Sequence, residues 1–325
     1  MNAFSFDRAA ECDVTLTIVN TENRDLLDGC LRTINETVGQ ASYEVIVVDN
    51  ASTDGSVEMV ERKYPQVTLI RNDNRLGYGE SHNKAICRAR GRYVLVLNED
   101  MEIHQGAVDR MIVEADRIPD LGAMGCRLLN PDGSLQHSCF RFPTLGTELF
   151  EAVFPYTVLF SHSRLRSKMY WWGHSEMRQV DIVVGCCMLV RRKTIEEVGA
   201  FDPAFFVYSE EHDWCKRLAG AGLRNFFLPD AEMVHFGGQT SKRMSLRMAL
   251  VQLDSRTKYF LKHHGVIRTW MLRAILLASA GLRVVGWSAY LLVRGRSDKG
   301  AIAKLQEYWS SLKFVATWKR SALQQ

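Results

Sequence analysis

Apolar and polar positions follow two different patterns along the first hundred residues, one typical of strands and one typical of helices. Short β-rich runs predict four strands, at 14–19, 44–48, 67–71 and 93–97. Between them, apolar residues recur at helical spacing and predict three helices, at 24–38, 56–64 and 80–90. The strands have no polar face, and such strands alternating with helices are typical of a parallel sheet covered on both sides. The sequence therefore predicts an α/β fold.

Polar residues cluster where three of the predicted strands stop. They are Asn20-Thr21-Glu22, Asp49-Asn50 and Asn98-Glu99-Asp100. Ligands of open α/β sheets bind outside the carboxyl ends of the strands, so we expect these residues to line one crevice. The alternative is that each only starts a turn or caps a helix. Three polar ends on one sheet edge favour a ligand site.

Several function classes are disfavoured by what the chain does not contain. The first strand is not followed by G-x-G-x-x-G, and the chain has no G-x-x-x-x-G-K-[ST] stretch, which disfavours dehydrogenases and P-loop enzymes. The net charge is +4, from 41 Lys and Arg against 37 Asp and Glu, so no nucleic-acid partner is expected. The eight cysteines form no C-x-x-C pair, which argues against a disulfide framework or a structural zinc site. Residues 1–13 contain no apolar signal core, so we expect a cytoplasmic protein.

Three features carry candidate chemistry. The residues 98–100 offer hard oxygen ligands, which hold Mg²⁺ or Mn²⁺ against substrate phosphates. Glu210 and Glu211 follow an aromatic stretch. Carboxylates beside aromatic surface can serve as general bases, although acidic residues also favour a helix start. His235 lies shortly before a Gly-Gly pair and is a candidate metal ligand.

Together these motifs resemble glycosyltransferase family 2, which has the GT-A fold, and within it the rhamnosyltransferase-like branch. The stretch VVDNASTDGS at 47–56 is similar to the family's VDNxSxDGS signature, and LNED at 97–100 stands where its D-x-D-like metal motif stands. The matches cover about 14–265 and lie at 18–24, 47–56, 72–83, 97–100, 130–136, 141–144, 183–192, 210–215 and 235–240.

The resemblance implies an inverting glycosyltransferase of cell-envelope polysaccharide synthesis. Such an enzyme moves a sugar, with rhamnose favoured here, from a nucleotide-diphosphate sugar to a glycan or lipid-linked acceptor. Another hexose or an N-acetylhexosamine donor is the alternative within enzymes. A non-catalytic scaffold that binds nucleotide sugar is the alternative outside them.

The resemblance also implies roles for individual residues. Asp49 would contact the nucleoside and Asp100 would hold a divalent ion, Mg²⁺ or Mn²⁺, with His235 completing the metal shell. Glu211 stands where the family has its general base, although the family usually has Asp there. The residues assigned to nucleotide-sugar binding are Asn20, Glu22, Asp49, Arg75 and Glu99.

The last sixty residues differ in character from the rest. We expect domains at 1–265, the GT-A domain, and 266–325, a helical segment with basic and apolar residues. Arg273 and Arg283 interrupt the apolar run 271–293, and each costs about 2.5–3.5 kcal/mol at the centre of a membrane-spanning helix. We therefore expect the segment to lie on the inner face of the cell membrane, as in a peripheral protein. The alternative is packing against the catalytic domain or against a second copy in a homo-oligomer.

Overall fold

The computed structural model describes residues 4, 6, 9–153, 172–237, 245–294 and 298–319. The chain divides into two compact units. The first comprises residues 1–142, 169–203 and 210–239, and the second comprises 143–168, 204–209 and 240–325. The boundary that the sequence predicts between residues 265 and 266 falls inside the second unit, and it stays a prediction.

Ten of the described strands form one mixed sheet in the first unit. The described strands are β1 (Cys12–Asn20), β2 (Tyr43–Asp49), β3 (Thr68–Arg71), β4 (Gly91–Asn98), β5 (Met101–Ile103), β6 (Leu121–Leu129), β7 (Leu135–Gln136), β8 (Cys139–Phe140), β9 (Arg178–Val180), β10 (Ile182–Val183), β11 (Cys187–Arg191) and β12 (Arg224–His235). The order is β3-β2-β1-β4-β11-β6-β12-β5, with β7 beside β6 and β9 beside β12, while β8 and β10 pair separately.

The first four strands are parallel, as the sequence predicts. β1 pairs in parallel with β2 and β4, and β2 pairs in parallel with β3. β6 and β12 are also parallel, but β11 lies antiparallel between β4 and β6. The sheet is therefore mostly parallel along its predicted half and mixed beyond it.

The described helices cover the sheet or belong to the second unit. They are α1 (Arg24–Thr37), α2 (Ser56–Lys63), α3 (Tyr78–Ile86), α4 (Ala107–Asp116), α5 (Leu145–Val153), α6 (Arg192–Val198), α7 (Glu210–Gly220), α8 (Ser245–Arg294) and α9 (Lys299–Thr317). The three helices that the sequence predicts before residue 100 are confirmed as α1, α2 and α3.

Both faces of the sheet are buried, which explains why its strands lack a polar face. On β4, the side chains of Tyr93, Leu95 and Leu97 pack into one apolar cluster. Their neighbours Val94 and Val96 point to the other face and pack into a second cluster. Alternate side chains of a strand lie on opposite faces, so a strand covered on both sides needs apolar residues at every position.

The strand register brings the polar strand ends together. Asn20 at the end of β1 lies opposite Asp49 at the end of β2. On the other side of β1, Val19 lies opposite Asn98 at the end of β4. The predicted crevice is therefore built by three adjacent parallel strands that stop at the same level.

The second unit is helical and has a small core of its own. Phe205, Tyr259, Phe260 and Leu272 form a buried apolar cluster. Helix α8 is interrupted at Gly265, where φ is 78° and ψ is 176°, a conformation that glycine adopts without the steric cost other residues meet.

Residues Leu246–Val293 are, by length and composition alone, apolar enough to cross a membrane. The most apolar 18-residue window has a mean hydropathy of 1.6, and 17% of it is buried. Arg273 donates to the carbonyl of Val315 over 2.8 Å, and the guanidinium of Arg283 lies 5.3 Å from the ring of Tyr308. These contacts pair the second half of α8 with α9.

Candidate active site

The end of β2 is organised by a hydrogen-bonded group around Asp49. Asn20 Nδ2 donates to Asp49 Oδ1 over 3.0 Å and lies 3.1 Å from Ser52 Oγ. The Ser52 amide donates to Asp49 Oδ2 over 2.9 Å. Both Asp49 oxygens are thus held in place, and both Asn20 and Asp49 are buried. A carboxylate fixed at the end of a parallel strand can accept a hydrogen bond from a nucleoside without its side chain first having to become ordered.

Glu22 and Arg75 meet beside this group. The backbone of Glu22 is left-handed, with φ of 56°, and its amide donates to Ser52 Oγ over 3.0 Å. Glu22 Oε1 accepts from Thr53 Oγ1 over 3.1 Å and lies 3.3 Å from an Arg75 nitrogen. The Arg75 side chain is half exposed, and this contact engages one of its five donors. Arg75 can therefore also contact an anionic ligand.

Asp100 and His235 form a second group, which fits a divalent cation. Residue 235 of β12 pairs with Met101 of β5, the residue after Asp100. This pairing brings the His235 and Asp100 side chains together, with His235 Nε2 3.2 Å from Asp100 Oδ1. Asp100 Oδ1 is buried and accepts no hydrogen bond from the described residues. Burial opposes a charge on the ring, but Cys186 and Asp100 raise the pKa of His235 to about 11. This corner therefore favours a positive charge, whether a proton or a metal ion.

Gln136 fixes the orientation of the His235 ring. Its Oε1 lies 2.6 Å from His235 Nδ1, and its Nε2 donates to the His235 carbonyl over 3.2 Å. An amide oxygen accepts, so Nδ1 carries a proton and the ring is held with Nε2 facing Asp100. Metal-binding histidines are commonly oriented by such a hydrogen bond.

The protein supplies few ligands at this corner. No group of three or more His, Cys, Asp or Glu side chains that could hold a metal occurs in the part of the chain that the structure describes. Mg²⁺ commonly takes one or two protein carboxylates and completes its shell with substrate phosphates and water. Asp100 and His235 suit that kind of site, in which the metal is held jointly with a diphosphate.

Glu99 lies apart from this pair. Its Oε1 accepts from Asn23 Nδ2 over 2.6 Å, at the start of α1. Burial and the neighbouring charge of Asp100 raise the pKa of Glu99 to about 7. Its assignment near the ribose or the metal stays a prediction.

Glu211 lies in the first turn of α7, where the general base is predicted. A Cβ placed on Gly185 would lie 3.5 Å from the Cβ of Glu211, so the two residues pack together. His212 Nδ1 lies 3.2 Å from Glu211 Oε1. Asp213 is fully buried and forms an ion pair with Arg217, four residues later in the same helix, at 2.8 Å.

Glu210 and Glu211 differ in their protonation. Burial, with the charge of Glu211, raises the pKa of Glu210 well above its ordinary value. Burial also acts to raise the pKa of Glu211, but the charge and hydrogen bonding of His212 outweigh it and lower that pKa. The two carboxyls are therefore driven apart, with Glu210 the more easily protonated and Glu211 the more easily ionised. Such a division favours Glu211 as the candidate proton acceptor.

Tyr78 links the group around Asp100 and His235 to the group around Glu211. It is the first residue of α3, and its hydroxyl lies 3.0 Å from Asn98 Oδ1 and 2.9 Å from the Gly185 carbonyl oxygen. Asn98 Nδ2 in turn lies 3.3 Å from His235 Nε2. A connected set of side chains thus runs from His235 to the backbone on which Glu211 packs.

Residues 15–199 match the family described as "Glycosyl transferase family 2". The chain belongs to glycosyl transferase family 2. The match spans more than half of the chain, and the chain is therefore a glycosyltransferase. Glu211 and His235 lie beyond residue 199, so the structure is what brings them to the site.

Two curated relatives and one solved structure are similar to this glycosyltransferase. It is 31% identical over 263 residues to the N-acetylglucosaminyl-diphospho-decaprenol L-rhamnosyltransferase of Mycobacterium tuberculosis, covering 74% of this chain and 83% of the relative. It is 23% identical to the rhamnosyltransferase WbbL of Escherichia coli K12, covering 76% and 92%. A mannosyltransferase from Pyrobaculum calidifontis, in complex with GDP-Man and Mn²⁺, aligns with a TM-score of 0.52 and 18% identity over 97% of this chain and 89% of that one. The last likeness confirms the GT-A fold.

Two residues of this glycosyltransferase's site received no role from the sequence. They are Tyr78 and Gln136. Each lies inside a stretch that resembles the family, at 72–83 and 130–136. The sequence pattern marks these stretches, but it does not show that Tyr78 and Gln136 reach the same histidine neighbourhood from different parts of the chain.

Proposed function

We propose that this glycosyltransferase moves a rhamnosyl group from a nucleotide-diphosphate sugar to a lipid-linked or glycan acceptor in cell-envelope polysaccharide assembly, with a divalent metal ion as cofactor. The observation that carries the proposal is the joining of two sites by Tyr78. One is the cation-favouring corner of Asp100 and His235, and the other is the ionised Glu211. The names of the two curated relatives favour rhamnose as the sugar.

The donor nucleotide is held at the ends of β1 and β2. Asp49, fixed by Asn20 and Ser52, contacts the nucleoside. Glu22 and Arg75 border the same pocket, with Arg75 available to an anionic group. Asp100 and His235 would hold the divalent ion, which would supply Lewis-acid neutralisation of the diphosphate leaving group.

Glu211 acts as the general base. Its ionised carboxylate takes the proton of the acceptor hydroxyl, and the acceptor oxygen forms a bond to the anomeric carbon. The bond from that carbon to the diphosphate oxygen breaks, and the electron pair leaves with the diphosphate. Attack from the face opposite the leaving group inverts the configuration at the anomeric carbon.

A lipid-linked acceptor requires an enzyme that works at a membrane. The second half of α8 exposes large apolar side chains, namely Val266, Ile267, Trp270, Met271, Leu282, Val285, Leu292 and Val293. Exposed apolar surface on a helix with basic residues is typical of proteins that lie in the membrane interface. We therefore place the described residues of 266–319 on the cytoplasmic face of an anionic membrane.

Flotation of the full-length protein with anionic vesicles tests the membrane proposal. Val285, 67% exposed on α8, becomes charged in Val285→Glu, which should reduce flotation severalfold. The matched control is Val113→Glu, at a position 46% exposed on α4 in the first unit, which should float like the unchanged protein. A protein that never floats but dimerises in solution through this surface would overturn the proposal in favour of a homo-oligomer.

The donor is tested by thermal stability, because a ligand that binds the folded state raises it by mass action. We expect dTDP-rhamnose with Mn²⁺ to raise the melting temperature more than UDP- or GDP-sugars do, and EDTA to abolish the difference. A larger shift with a UDP-hexose or UDP-N-acetylhexosamine would show that the donor is a different sugar nucleotide. Donor binding without any transfer would support the non-catalytic scaffold.

A further inference from the structure

The loop between β3 and α3 carries Arg75 and leads into Tyr78. Residues 72–77 connect the end of β3 to Tyr78, the first residue of α3, and Arg75 contacts Glu22 from within this loop. Among the residues that the structure describes, the backbone of 73–76 forms no hydrogen bond to other backbone. The middle of the loop therefore depends on side chains for its position.

The side-chain amide of Asn50 holds the backbone of Leu76 with two hydrogen bonds, which we call the Asn50 clamp. The Leu76 amide donates to Asn50 Oδ1 over 2.8 Å, and Asn50 Nδ2 donates to the Leu76 carbonyl over 2.9 Å. A backbone N–H only donates and a carbonyl only accepts, so Leu76 fixes which end of the Asn50 amide is the oxygen. Asn50 directly follows β2 and is buried. Its side chain thus exchanges two hydrogen bonds with Leu76, as a residue of a neighbouring strand would.

A second amide supports the orientation of the first. Asn72 Nδ2 donates to Asn50 Oδ1 over 3.2 Å, and Asn72 Oδ1 accepts from Lys84 Nζ over 2.6 Å. An ammonium group only donates, so Lys84 fixes the Asn72 amide in its turn. The Asn72 backbone amide also donates to the Asp49 carbonyl over 2.9 Å. The Asn50 clamp is therefore anchored on the end of β2 and on α3, outside the loop that it holds.

We infer that Asn50 is a positioning residue for the sugar nucleotide and acts through Arg75: the clamp fixes the loop so that the Arg75 guanidinium is held where it meets a donor phosphate. The planar peptide unit whose N–H Asn50 holds begins at the Arg75 carbonyl. The Arg75 side chain is half exposed and pairs with Glu22 at 3.3 Å, and such a contact orders a side chain weakly. A loop fixed beforehand lowers the cost of ordering Arg75 on binding. This inference rests on the donor-binding role proposed above for Arg75.

Asn83 forms the same pair of hydrogen bonds with a different loop. Its Nδ2 donates to the Phe201 carbonyl over 2.8 Å, and the Phe201 amide donates to its Oδ1 over 3.1 Å. Phe201 packs in the apolar cluster on one face of the sheet and has no part in the proposed donor site. Asn83→Ala therefore removes two matched hydrogen bonds and serves as the control for lost stability.

Calorimetric binding of dTDP and of thymidine by the full-length protein, with Mn²⁺ present, tests the Asn50 clamp without any turnover. Arg75→Ala should raise the dTDP dissociation constant roughly tenfold, as for one hydrogen bond to a charged group, and should not change that of thymidine, which has no phosphate. Asn50→Ala should raise the dTDP dissociation constant roughly 3- to 10-fold and likewise leave thymidine binding unchanged. In the double variant Asn50→Ala should add little, because Asn50 acts through Arg75.

Asn83→Ala should lower the melting temperature as Asn50→Ala does and leave dTDP affinity unchanged. Asn50→Ser keeps a polar group in the vacated space but is too short to bridge both Leu76 atoms, so it should act on dTDP as Asn50→Ala does even if the latter does not fold. Unchanged dTDP binding, an equal loss of thymidine binding, or multiplicative effects in the double variant would overturn the clamp and leave the proposed function standing. A dTDP affinity that Arg75→Ala does not change would refute the donor role of Arg75, and the clamp with it.

Discussion

Replacing Glu211 by glutamine keeps the shape of the side chain and removes the proton acceptor. Because His212 favours the charged form of Glu211 while burial favours the neutral form of Glu210, we assign the general-base contribution to Glu211. Loss of a general base costs about 10²–10⁴ in rate, so turnover should fall by that factor. Donor affinity should hardly change, because the nucleoside and metal contacts are made by other residues.

Glu210 provides the matched comparison. Burial and the charge of Glu211 favour the neutral form of Glu210, which glutamine imitates, so Glu210→Gln should cost less than roughly tenfold, the scale of one altered hydrogen bond. Glu211→Asp retracts the carboxylate by one methylene, and a misplacement of about 1 Å can cost about 10²-fold. From fastest to slowest, the expected order of turnover is therefore the unchanged protein, Glu210→Gln, Glu211→Asp and Glu211→Gln.

The assay is single-turnover transfer from a saturating sugar nucleotide, with donor binding measured separately by calorimetry. Single turnover isolates the chemical step from product release. Near-full turnover in Glu211→Gln, with loss of activity in Glu210→Gln, would refute the assignment of the base and place the proton acceptor one residue earlier.

Three further predictions follow from the same site and its surroundings. Asp100→Ala should abolish the Mn²⁺-dependent part of donor binding while circular dichroism remains native, and full binding in excess EDTA by the unchanged protein would contradict it. Asp49→Ala should weaken donor affinity about tenfold or more, because a hydrogen bond to a charged group is worth about 1.5–3 kcal/mol, whereas Mn²⁺ affinity without nucleotide should stay the same. Burial lowers the pKa of His82 to about 3, so the unfolded state binds the extra proton below pH 6.5. Protonation of His82 should therefore lower the free energy of unfolding by up to about 1.4 kcal/mol for each pH unit of acidification. If the free energy of unfolding of His82→Gln depended equally steeply on pH, His82 would not be the cause.

The strands and helices of the first hundred residues could be predicted because their patterns are local. β1, β2 and β4 are largely apolar and buried along their central residues, and the helices between them have apolar residues at helical spacing. The polar strand ends are also local, and the parallel arrangement brings them to one edge. The residues that we propose for donor binding, Asn20, Glu22 and Asp49, were therefore predictable as a group.

The contacts around His235 and Glu211 could not be predicted in the same way, because they depend on non-local pairing. The antiparallel position of β11 between β4 and β6 carries Gly185 to Tyr78, and an apolar run such as Cys187–Arg191 contains no information about its neighbours. Gln136 reaches His235 from 99 residues away. The family resemblance supplied His235 and Glu211, whereas their supports Gln136 and Tyr78 emerged only from the packed structure.

The proposed reaction is tested most directly by transfer from dTDP-rhamnose to a polyprenyl-diphosphate-linked sugar acceptor, with the product's anomeric configuration determined by NMR. We expect a rhamnosylated product with inverted configuration, formed with Mn²⁺ or Mg²⁺, abolished by EDTA and restored by added metal. We also expect Glu211→Gln to bind the donor but to form product about 10²–10⁴ times more slowly. A product with retained configuration, or undiminished transfer in EDTA, would contradict the joint action of Asp100, His235 and Glu211.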